Sequence, residues 1–451
     1  MDYMGFRIIK IETYGMKGIA EPMVFRFQND TVDFKKAVES PSIKAIYGMN
    51  GSGKSSFINA IDVYRNLSWS FSYLLESSSV RRLNNLINKR TKQFSFKVWF
   101  LYSPDNLVFC HEIVVDNSTS KPFITKERLS RITGKTVNGP EKLLFDISGN
   151  NLMSFYDDSD RKGLSDFIKK TMEKKNEYCS AISLLFDVNF QKSVTALMGE
   201  EKKEYDGKSR FSENSVIGAL FFTGLFVQST SIYLADSDVH LEYDIAQMRA
   251  FLEHFGENLG DNMVVYGETL VPKSQYDAFS LQVGKMTKFI QLFKPDLQKI
   301  LIDRREDGDY FLCRLVMNYG DYSIDFEYES TGLKNLMSMF SCLEQASLGN
   351  IAFIDEMDAN MNEVYLEKLC EFFANHAKGQ LCFTTHNTAP MRILQSRKFG
   401  IDFISSKKGN HQWVRNGNYS PAKLYAEGMI PGLPFNVEDF DFLEVFFPEE
   451  A

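Results

Sequence analysis

Eight consecutive residues near the N-terminus could hold a polyphosphate. Residues 48–55 read Gly-Met-Asn-Gly-Ser-Gly-Lys-Ser, between an apolar run at 43–47 and a helical pattern that follows. Glycines let successive backbone N–H groups turn towards a phosphate, and the N-terminus of a helix adds a positive field. The pattern predicts a phosphate-binding loop formed by Gly48, Asn50, Gly51, Ser52, Gly53, Lys54, Ser55 and Ser56.

The side chains of this loop would have separate tasks. Lys54 is predicted to span the β- and γ-phosphates of a nucleotide, and Ser55 to offer an oxygen to Mg²⁺. A plain glycine-rich turn is the alternative, but a turn needs neither the preceding strand nor the following helix. The sequence therefore predicts ATP and Mg²⁺ as the bound species.

Two carboxylates follow a later apolar run. Residues 351–354 read Ile-Ala-Phe-Ile, which is typical of a strand buried on both faces of a parallel sheet. Asp355 and Glu356 come next, at the edge where α/β sheets bind ligands. Asp355 is predicted to hold the Mg²⁺ shell, and Glu356 to polarise the water that attacks the γ-phosphate. The alternative is an ordinary helix N-terminus, which Asp358 or Asn360 could supply.

His386 follows the next predicted strand. Residues 364–377 have helical spacing and residues 381–385 are strand-like, so the segment predicts a strand, crossover helix and parallel strand. A histidine at the end of the strand beside the carboxylates could hydrogen-bond the γ-phosphate. An ordinary loop histidine is the alternative.

A helix between these two halves begins with a serine and a glycine. Residues 322–328 predict a strand, and the apolar stripe that starts at Leu333 predicts a helix. Ser330 would cap this helix, and Gly332 would let an anion approach its first turn. An ordinary capped helix is the alternative.

The order of these motifs resembles that of the ABC-type ATPases. The series is phosphate loop, Ser-x-Gly helix, Asp-Glu strand, the Asp-Ala-Asn loop at 358–360, and the strand that ends at His386. The resemblance implies an α/β fold, an ABC-type P-loop ATPase core with a mixed sheet and an antiparallel β-layer. It also implies a homodimer that holds two ATPs between its subunits, with Ser330 and Gly332 facing the partner's γ-phosphate and the 358–360 loop crossing the seam. Higher oligomers stay open.

The chain is expected to divide into three parts. Residues 1–115 would form the N-terminal half of the core, with hairpins at 6–14 and 24–27 and at 94–102 and 107–115. Residues 116–280 are predicted to be a mostly helical insertion lobe, because no apolar heptad is sustained there. Residues 281–451 would form the C-terminal half of the core.

Composition sets the outer limits. The 451 residues include 44% apolar and 14% aromatic types, enough for a large core, and the net charge of −8 does not demand a nucleic-acid partner. Nucleic acid stays possible but not required, since a basic cluster is present, although a solvated helix face explains it better: Arg81, Arg82, Lys89, Arg90 and Lys92. No apolar run could cross a membrane and no targeting pattern appears, so a cytoplasmic protein is predicted.

Six cysteines are scattered along the sequence. They lack the spacing of a zinc site, so buried thiols are expected, with neither zinc nor disulfide. They are Cys110, Cys179, Cys313, Cys342, Cys370 and Cys382.

A narrower resemblance is carried by the closing segment. Residues 419–428, with a Glu-Ser-x-Gly signature and an insertion, resemble the AAA15 and AAA21 group of anti-phage defence ATPases. This group includes the abortive-infection AbiL ATPase and AriA of the PARIS system and neighbours the OLD-nuclease ATPases. The chain after His386 is too short for a TOPRIM nuclease domain. Acidic residues at 438–444 are interleaved with phenylalanines, which favours a surface strand or docking segment over a metal cluster.

Three functions are compatible with these motifs. The first is a regulatory ATPase that senses a phage-derived trigger and controls a separately encoded toxic effector, expected to be a nuclease, with the TOPRIM type as one candidate. The second is a DNA-binding repair or chromosome-maintenance ATPase of the SMC-like class. The third is a transporter's nucleotide-binding subunit, which normally has a much shorter spacing between phosphate loop and signature. The first is favoured.

Overall fold

The structure is a computed structural model with three sheets. It describes residues 5–30, 42–103, 105–134, 136–157, 162–200, 215–235, 268–359, 361–405, 409–415 and 419–430. Residues 200–210, a charged run for which the sequence predicts a linker, lie almost wholly outside the described residues, and the acidic segment at 438–444 and Asn360 lie outside them.

The first sheet has seven antiparallel strands in the order β2-β1-β4-β5-β6-β7-β8. Its strands are β1 (Phe6–Tyr14), β2 (Met23–Arg26), β4 (Gln93–Tyr102), β5 (Leu107–Asp116), β6 (Phe123–Ile132), β7 (Glu141–Ser148) and β8 (Asn151–Phe155). Both predicted hairpins are confirmed, because β1 pairs with β2 and β4 pairs with β5, each antiparallel. This sheet is the expected antiparallel layer.

The second sheet carries the predicted site at its edge. Its strands are β3 (Ser42–Gly48), β9 (Thr230–Tyr233), β14 (Ile351–Ile354), β15 (Gln380–Thr384), β16 (Ile401–Ser405) and β17 (Gly409–Gln412). Their order is β17-β16-β3-β15-β14-β9, and only β17 is antiparallel to its neighbour. The carboxyl ends of β3, β14 and β15 therefore meet at one edge, as the sequence predicted.

Ten helices surround the sheets within the described residues. They are α1 (Lys54–Trp69), α2 (Ser77–Leu86), α3 (Lys162–Lys174), α4 (Val188–Glu200), α5 (Val216–Gln228), α6 (Tyr276–Gln291), α7 (Thr331–Leu348), α8 (Glu363–His376), α9 (Ala389–Leu394) and α10 (Pro421–Ala426). The crossover from β14 through α8 to β15 confirms the predicted unit.

The second sheet separates two apolar cores. Side chains of β14 alternate: Ile351 and Phe353 lie in a core shared with the first sheet, α1 and α5, whereas Ala352 and Ile354 lie in a core shared with α6, α7 and α8. Burial on both faces explains why this strand reads as a continuous apolar run. Helices α6, α7 and α8 on one face, and the antiparallel layer with α1 and α5 on the other, give the arrangement predicted for an ABC-type P-loop ATPase core.

A third, smaller sheet precedes α7. It contains β10 (Thr269–Pro272), β12 (Tyr310–Asn318) and β11 (Lys299–Asp307), in that order, and β13 (Ser323–Asp325) also pairs with β12. The prediction of a strand over 322–328 is wrong beyond Asp325. Residues 326–328 form a 3-10 turn, because the Asp325 carboxylate accepts a hydrogen bond from the Glu327 N–H at 3.2 Å.

Residues 116–280 differ from the expected helical lobe. Strands β6–β8 extend the first sheet, β9 extends the second, and α5 packs against α1. These strands were not predicted because β6 contains three consecutive charged residues at 126–128 instead of an alternation of apolar and polar residues. It also buries Glu127 at a position where an apolar side chain is usual. The described part of this segment is therefore continuous with the ATPase sheets.

Glu127 lies at the centre of a buried polar group, here called the Glu127 cluster. Its carboxylate accepts hydrogen bonds from the Ala181 N–H at 2.8 and 2.9 Å and from the Ser180 hydroxyl at 2.5 Å. The Lys175 ammonium lies 3.7 Å away, and His111 Nε2 lies 3.4 Å away. The cluster therefore joins β5 and β6 to the connection between α3 and the short helix at 182–186.

The Glu127 cluster also reaches the helix of the phosphate loop. The Tyr64 hydroxyl of α1 lies 2.9 Å from His111 Nδ1, so the His111 ring links Tyr64 on one side to Glu127 on the other. Burial raises the pKa of Glu127, but the His111 hydrogen bond and the Lys175 charge outweigh burial and lower the pKa to about 2. This carboxylate is charged and satisfied by the protein itself.

Candidate nucleotide-phosphate site

The predicted phosphate loop lies between β3 and α1, and its glycines allow the backbone to turn. Gly51 and Gly53 have φ of +75° and +111°, a region that other residues rarely adopt. A Cβ atom on Gly48 would lie 2.4 Å from Ser52 Oγ and 2.6 Å from the Ile404 carbonyl oxygen. The loop is therefore wound too tightly for a side chain at position 48.

Lys54 is buried at the start of α1. Its ammonium donates to the carbonyl oxygens of Gly48 at 2.8 Å and Met49 at 3.1 Å. Burial lowers the pKa of Lys54, and the nearby Asp355 and Glu356 carboxylates oppose this effect. The cation of the loop and the carboxylates after β14 thus share one site, as predicted.

One buried polar atom of the loop lacks a partner within the protein. The Ser52 hydroxyl is inaccessible to solvent and has no hydrogen-bond partner among the described residues. Buried polar atoms are nearly always satisfied, and an exception calls for an explanation such as a ligand. The atom lies in a glycine-rich loop beside Lys54, so the residues present fit a bound phosphate.

The Asp355-Glu356 pair is held by a residue that the sequence analysis missed. The Thr384 hydroxyl, at the end of β15, donates to Asp355 Oδ1 at 2.5 Å and accepts from the Glu356 N–H at 2.7 Å. The Thr384 carbonyl also accepts from the Met357 N–H at 3.0 Å. Glu356 has a left-handed φ of +50°, uncommon for this residue type. Thr384 therefore fixes the backbone turn at Glu356.

The loop after β14 is tied to the loop after β15. Asp358 Oδ2 accepts hydrogen bonds from the His386 and Asn387 N–H groups, each at 3.2 Å. Asp358 is therefore not the cap of α8, a possibility that the sequence left open; Asn362 caps that helix. Asp358 instead orders the backbone that carries His386.

His386 lies in the same site. Burial lowers the pKa of His386, the Lys54 charge lowers it further, and Asp358 and Asp355 raise it in part. The neutral imidazole is therefore favoured at neutral pH, with one N–H to donate.

Ser330 and Gly332 lie at the start of α7. The Ser330 hydroxyl accepts from the Leu333 N–H at 3.4 Å and caps α7, as predicted. The Ser330 side chain and the neighbouring Tyr328 ring are exposed. The start of α7 thus presents an exposed surface.

The remaining candidates also have places in the structure. Ser55 is half-buried in the first turn of α1, Ser56 is buried behind it, and Asn50 is exposed at the tip of the loop. Asp355 is buried. Mg²⁺ is usually bound through one or two protein oxygens together with substrate phosphates, and the Ser55 hydroxyl and the Asp355 carboxylate suit that role. Among the described residues, no group of three or more His, Cys, Asp or Glu side chains could hold a metal alone.

Two broader features complete the description. All six cysteines are buried and have free thiols. No described helix is both long enough and apolar enough to span a bilayer.

Comparisons with known proteins give structural neighbours only. No protein-family profile matches the chain, and no curated protein matches it. The Smc head domain with an extended coiled coil from Pyrococcus furiosus, solved with the C-terminal domain of ScpA, is similar over 90% of this chain and 96% of its own, at 13% identity and a TM-score of 0.39. The SMC head domain from Thermotoga maritima is similar over 91% of this chain and 100% of its own, at 12% identity and a TM-score of 0.33.

Proposed function

We propose that this protein binds ATP with Mg²⁺ and hydrolyses it. The observation that carries the proposal is the meeting of Lys54, Asp355 and Glu356 at one sheet edge, with Thr384 fixing the two carboxylates. A glycine-rich loop, one buried cation and a carboxylate after a neighbouring strand are the components that phosphoryl transfer to water requires.

Each side chain has a task in this proposal. The loop N–H groups and Lys54 bind the phosphates, and Ser55 and Asp355 hold the cation. Glu356 accepts the proton of the attacking water, and neutral His386 donates a hydrogen bond to the γ-phosphate. Mg²⁺, when bound, neutralises phosphate charge.

The active unit is proposed to be a dimer with two shared sites. The exposed start of α7 supports this proposal, because the Ser330 side chain is available to a second copy. The ATPase motif order, with residues 358–360 at the seam, implies the same arrangement.

Mixing two inactive variants tests this dimer. Ser330→Arg would block the contributed helix end, and Lys54→Ala would block the phosphate loop. In a mixed dimer one site receives both defects and the other receives neither, so ATPase activity should return. Hydrolysis per subunit should also rise with protein concentration. Activity that stays strictly proportional to concentration, with no recovery on mixing, would contradict the dimer.

The proposed biological role is control of a separately encoded toxic effector in anti-phage defence. The motif series and the closing segment at 419–428 support this role by their resemblance to the AAA15 and AAA21 group. Expression of the chain alone should be harmless, and co-expression with its neighbouring gene should protect cells only when Lys54 and Glu356 are intact. A pulldown from the host should recover the effector.

Two results would contradict this role. One is metal-dependent cleavage of nucleic acid by the purified chain, abolished by an acidic substitution outside the ATP site. The other is protection without the neighbouring gene. The alternative, an SMC-like DNA-repair ATPase, needs a basic face. Arg82 from the basic cluster forms an ion pair with Asp62 at 2.6 Å. The charge of Arg82 is therefore neutralised within the protein and adds little to a surface that could bind DNA.

A further inference from the structure

The closing segment, residues 419–430, reaches the phosphate loop. Its helix α10 packs beside α9, and Ile430 is buried in the core that contains α6, α7 and α8. The Tyr425 ring lies 5.9 Å from the Tyr47 ring and 5.8 Å from the Phe403 ring, measured between centroids. Apolar contacts thus hold Tyr425 against the ends of β3 and β16.

The Tyr425 hydroxyl reaches the same backbone atom as Lys54. It donates to the Gly48 carbonyl oxygen at 3.4 Å, while the Lys54 ammonium donates to that oxygen at 2.8 Å. Gly48 is buried, so water does not readily replace a lost donor. A carbonyl oxygen has two lone pairs and can accept both bonds at once.

These two donors respond differently to a bound nucleotide. An ammonium has three N–H donors, and Lys54 uses two of them on the Gly48 and Met49 carbonyls, so spanning two phosphate oxygens takes at least one of these bonds away. The Tyr425 hydroxyl belongs to a separate helix and carries no charge, so a phosphate does not draw it away from Gly48. Among the side-chain donors described for Gly48, Tyr425 is then the one that keeps the carbonyl paired when the Lys54 bond is lost.

We infer that Tyr425 is a positioning residue of the phosphate loop, which holds the Gly48 carbonyl when Lys54 turns to the nucleotide. This inference rests on the proposed ATP binding. It gives the closing segment a task at the site: without it, each binding event would leave a buried carbonyl without a donor.

Tyr425→Phe removes the hydroxyl and keeps the ring. The Kd for AMP-PNP with Mg²⁺, measured by titration calorimetry, should rise roughly tenfold, the effect of one lost hydrogen bond at a buried carbonyl. The melting temperature without nucleotide should change little, because Lys54 still serves Gly48. Tyr419→Phe is the matched control, since this ring is 65% exposed in the same segment, and its Kd should equal that of the unsubstituted protein.

A double substitution separates positioning from general support. In a Lys54→Ala background Tyr425 is the remaining side-chain donor to Gly48, so Tyr425→Phe should now lower the melting temperature without nucleotide. An unchanged Kd in Tyr425→Phe, or an equal loss of stability in both backgrounds, would overturn the inference alone. Absence of binding by the unsubstituted protein would overturn the proposed function, and this inference with it.

Discussion

The phosphate loop and the Glu127 cluster are both buried and polar, yet they differ in how many of their polar atoms have hydrogen-bond partners within the protein. Both oxygens of Glu127 receive donors from the protein, and its partners come from two separate segments, β5 and the connection at 175–181. In the phosphate loop the Ser52 hydroxyl has no partner among the described residues, and Lys54 binds only carbonyls of its own loop in the hydrogen bonds described. A saturated network stabilises a fold, whereas an unsaturated one prepares a binding site.

Backbone geometry also distinguishes the phosphate site from the Glu127 cluster. Gly51, Gly53 and Glu356 have positive φ, and all three lie at the phosphate site. Glycine adopts positive φ readily, whereas Glu356 is strained there; such strain persists where the surrounding structure imposes it and often marks function. A shifted pKa does not discriminate, because both Glu127 and His386 are shifted. Between these two regions, the features that differ are the unsatisfied Ser52 hydroxyl and the backbone conformation of Glu356.

The largest effect is expected from substitutions at the phosphate site, which leave the Glu127 cluster intact. Glu356→Gln removes the proposed base, so kcat for ATP hydrolysis should fall roughly 10²- to 10⁴-fold while ATP still binds. Lys54→Ala removes the cation from the phosphates, so binding itself should weaken. Hydrolysis assays and calorimetry on both variants check this contrast. Wild-type hydrolysis by Glu356→Gln would show that the base is another residue.

The second prediction concerns a substitution that disrupts the Glu127 cluster. Glu127→Gln leaves the buried Lys175 ammonium without its counter-charge, which should cost roughly 3–5 kcal/mol in the free energy of unfolding. Glu112→Gln, on the neighbouring strand β5, is the control: its ion pairs are partly exposed, so about 0–1 kcal/mol is expected. Urea unfolding measures both. Equal losses for the two variants would refute the assigned structural role.

The pH dependence of stability sharpens the same test. The pKa of Glu127 is about 2 in the fold, below its ordinary value of 4.5. The charged form is therefore favoured by folding, and its contribution is complete above pH 4.5 and lost as pH falls towards 2. The difference corresponds to about 3 kcal/mol. The stability loss of Glu127→Gln should shrink across this window, and a constant loss would contradict the assignment.

The smallest predicted effect concerns Thr384. Thr384→Val keeps the shape of the side chain but removes the bonds to Asp355 and Glu356, so kcat should fall roughly tenfold to a hundredfold, as for one hydrogen bond to a charged group. Thr384→Ser restores a hydroxyl and should recover most of the rate. Failure of serine to rescue the rate would assign the effect to packing instead.

The sequence allowed the site to be predicted where local pattern determines structure. The phosphate loop, the Asp355-Glu356 strand and the cap at Ser330 each depend on a few neighbouring residues, and the structure has all three. Thr384 was missed because a threonine in a strand looks the same whether or not its hydroxyl faces a carboxylate. The Glu127 cluster was missed because its members lie on segments far apart in sequence.

Sheet order has a consequence for how the chain is made. The two strands that flank β3 are β15 and β16, which begin at Gln380 and Ile401, whereas β3 itself ends at Gly48. During synthesis the phosphate loop therefore leaves the ribosome long before either flanking strand exists. Contacts between such distant segments form slowly, because a long loop must be closed first. The candidate nucleotide site is thus assembled only after synthesis has passed Ser405, the last residue of β16.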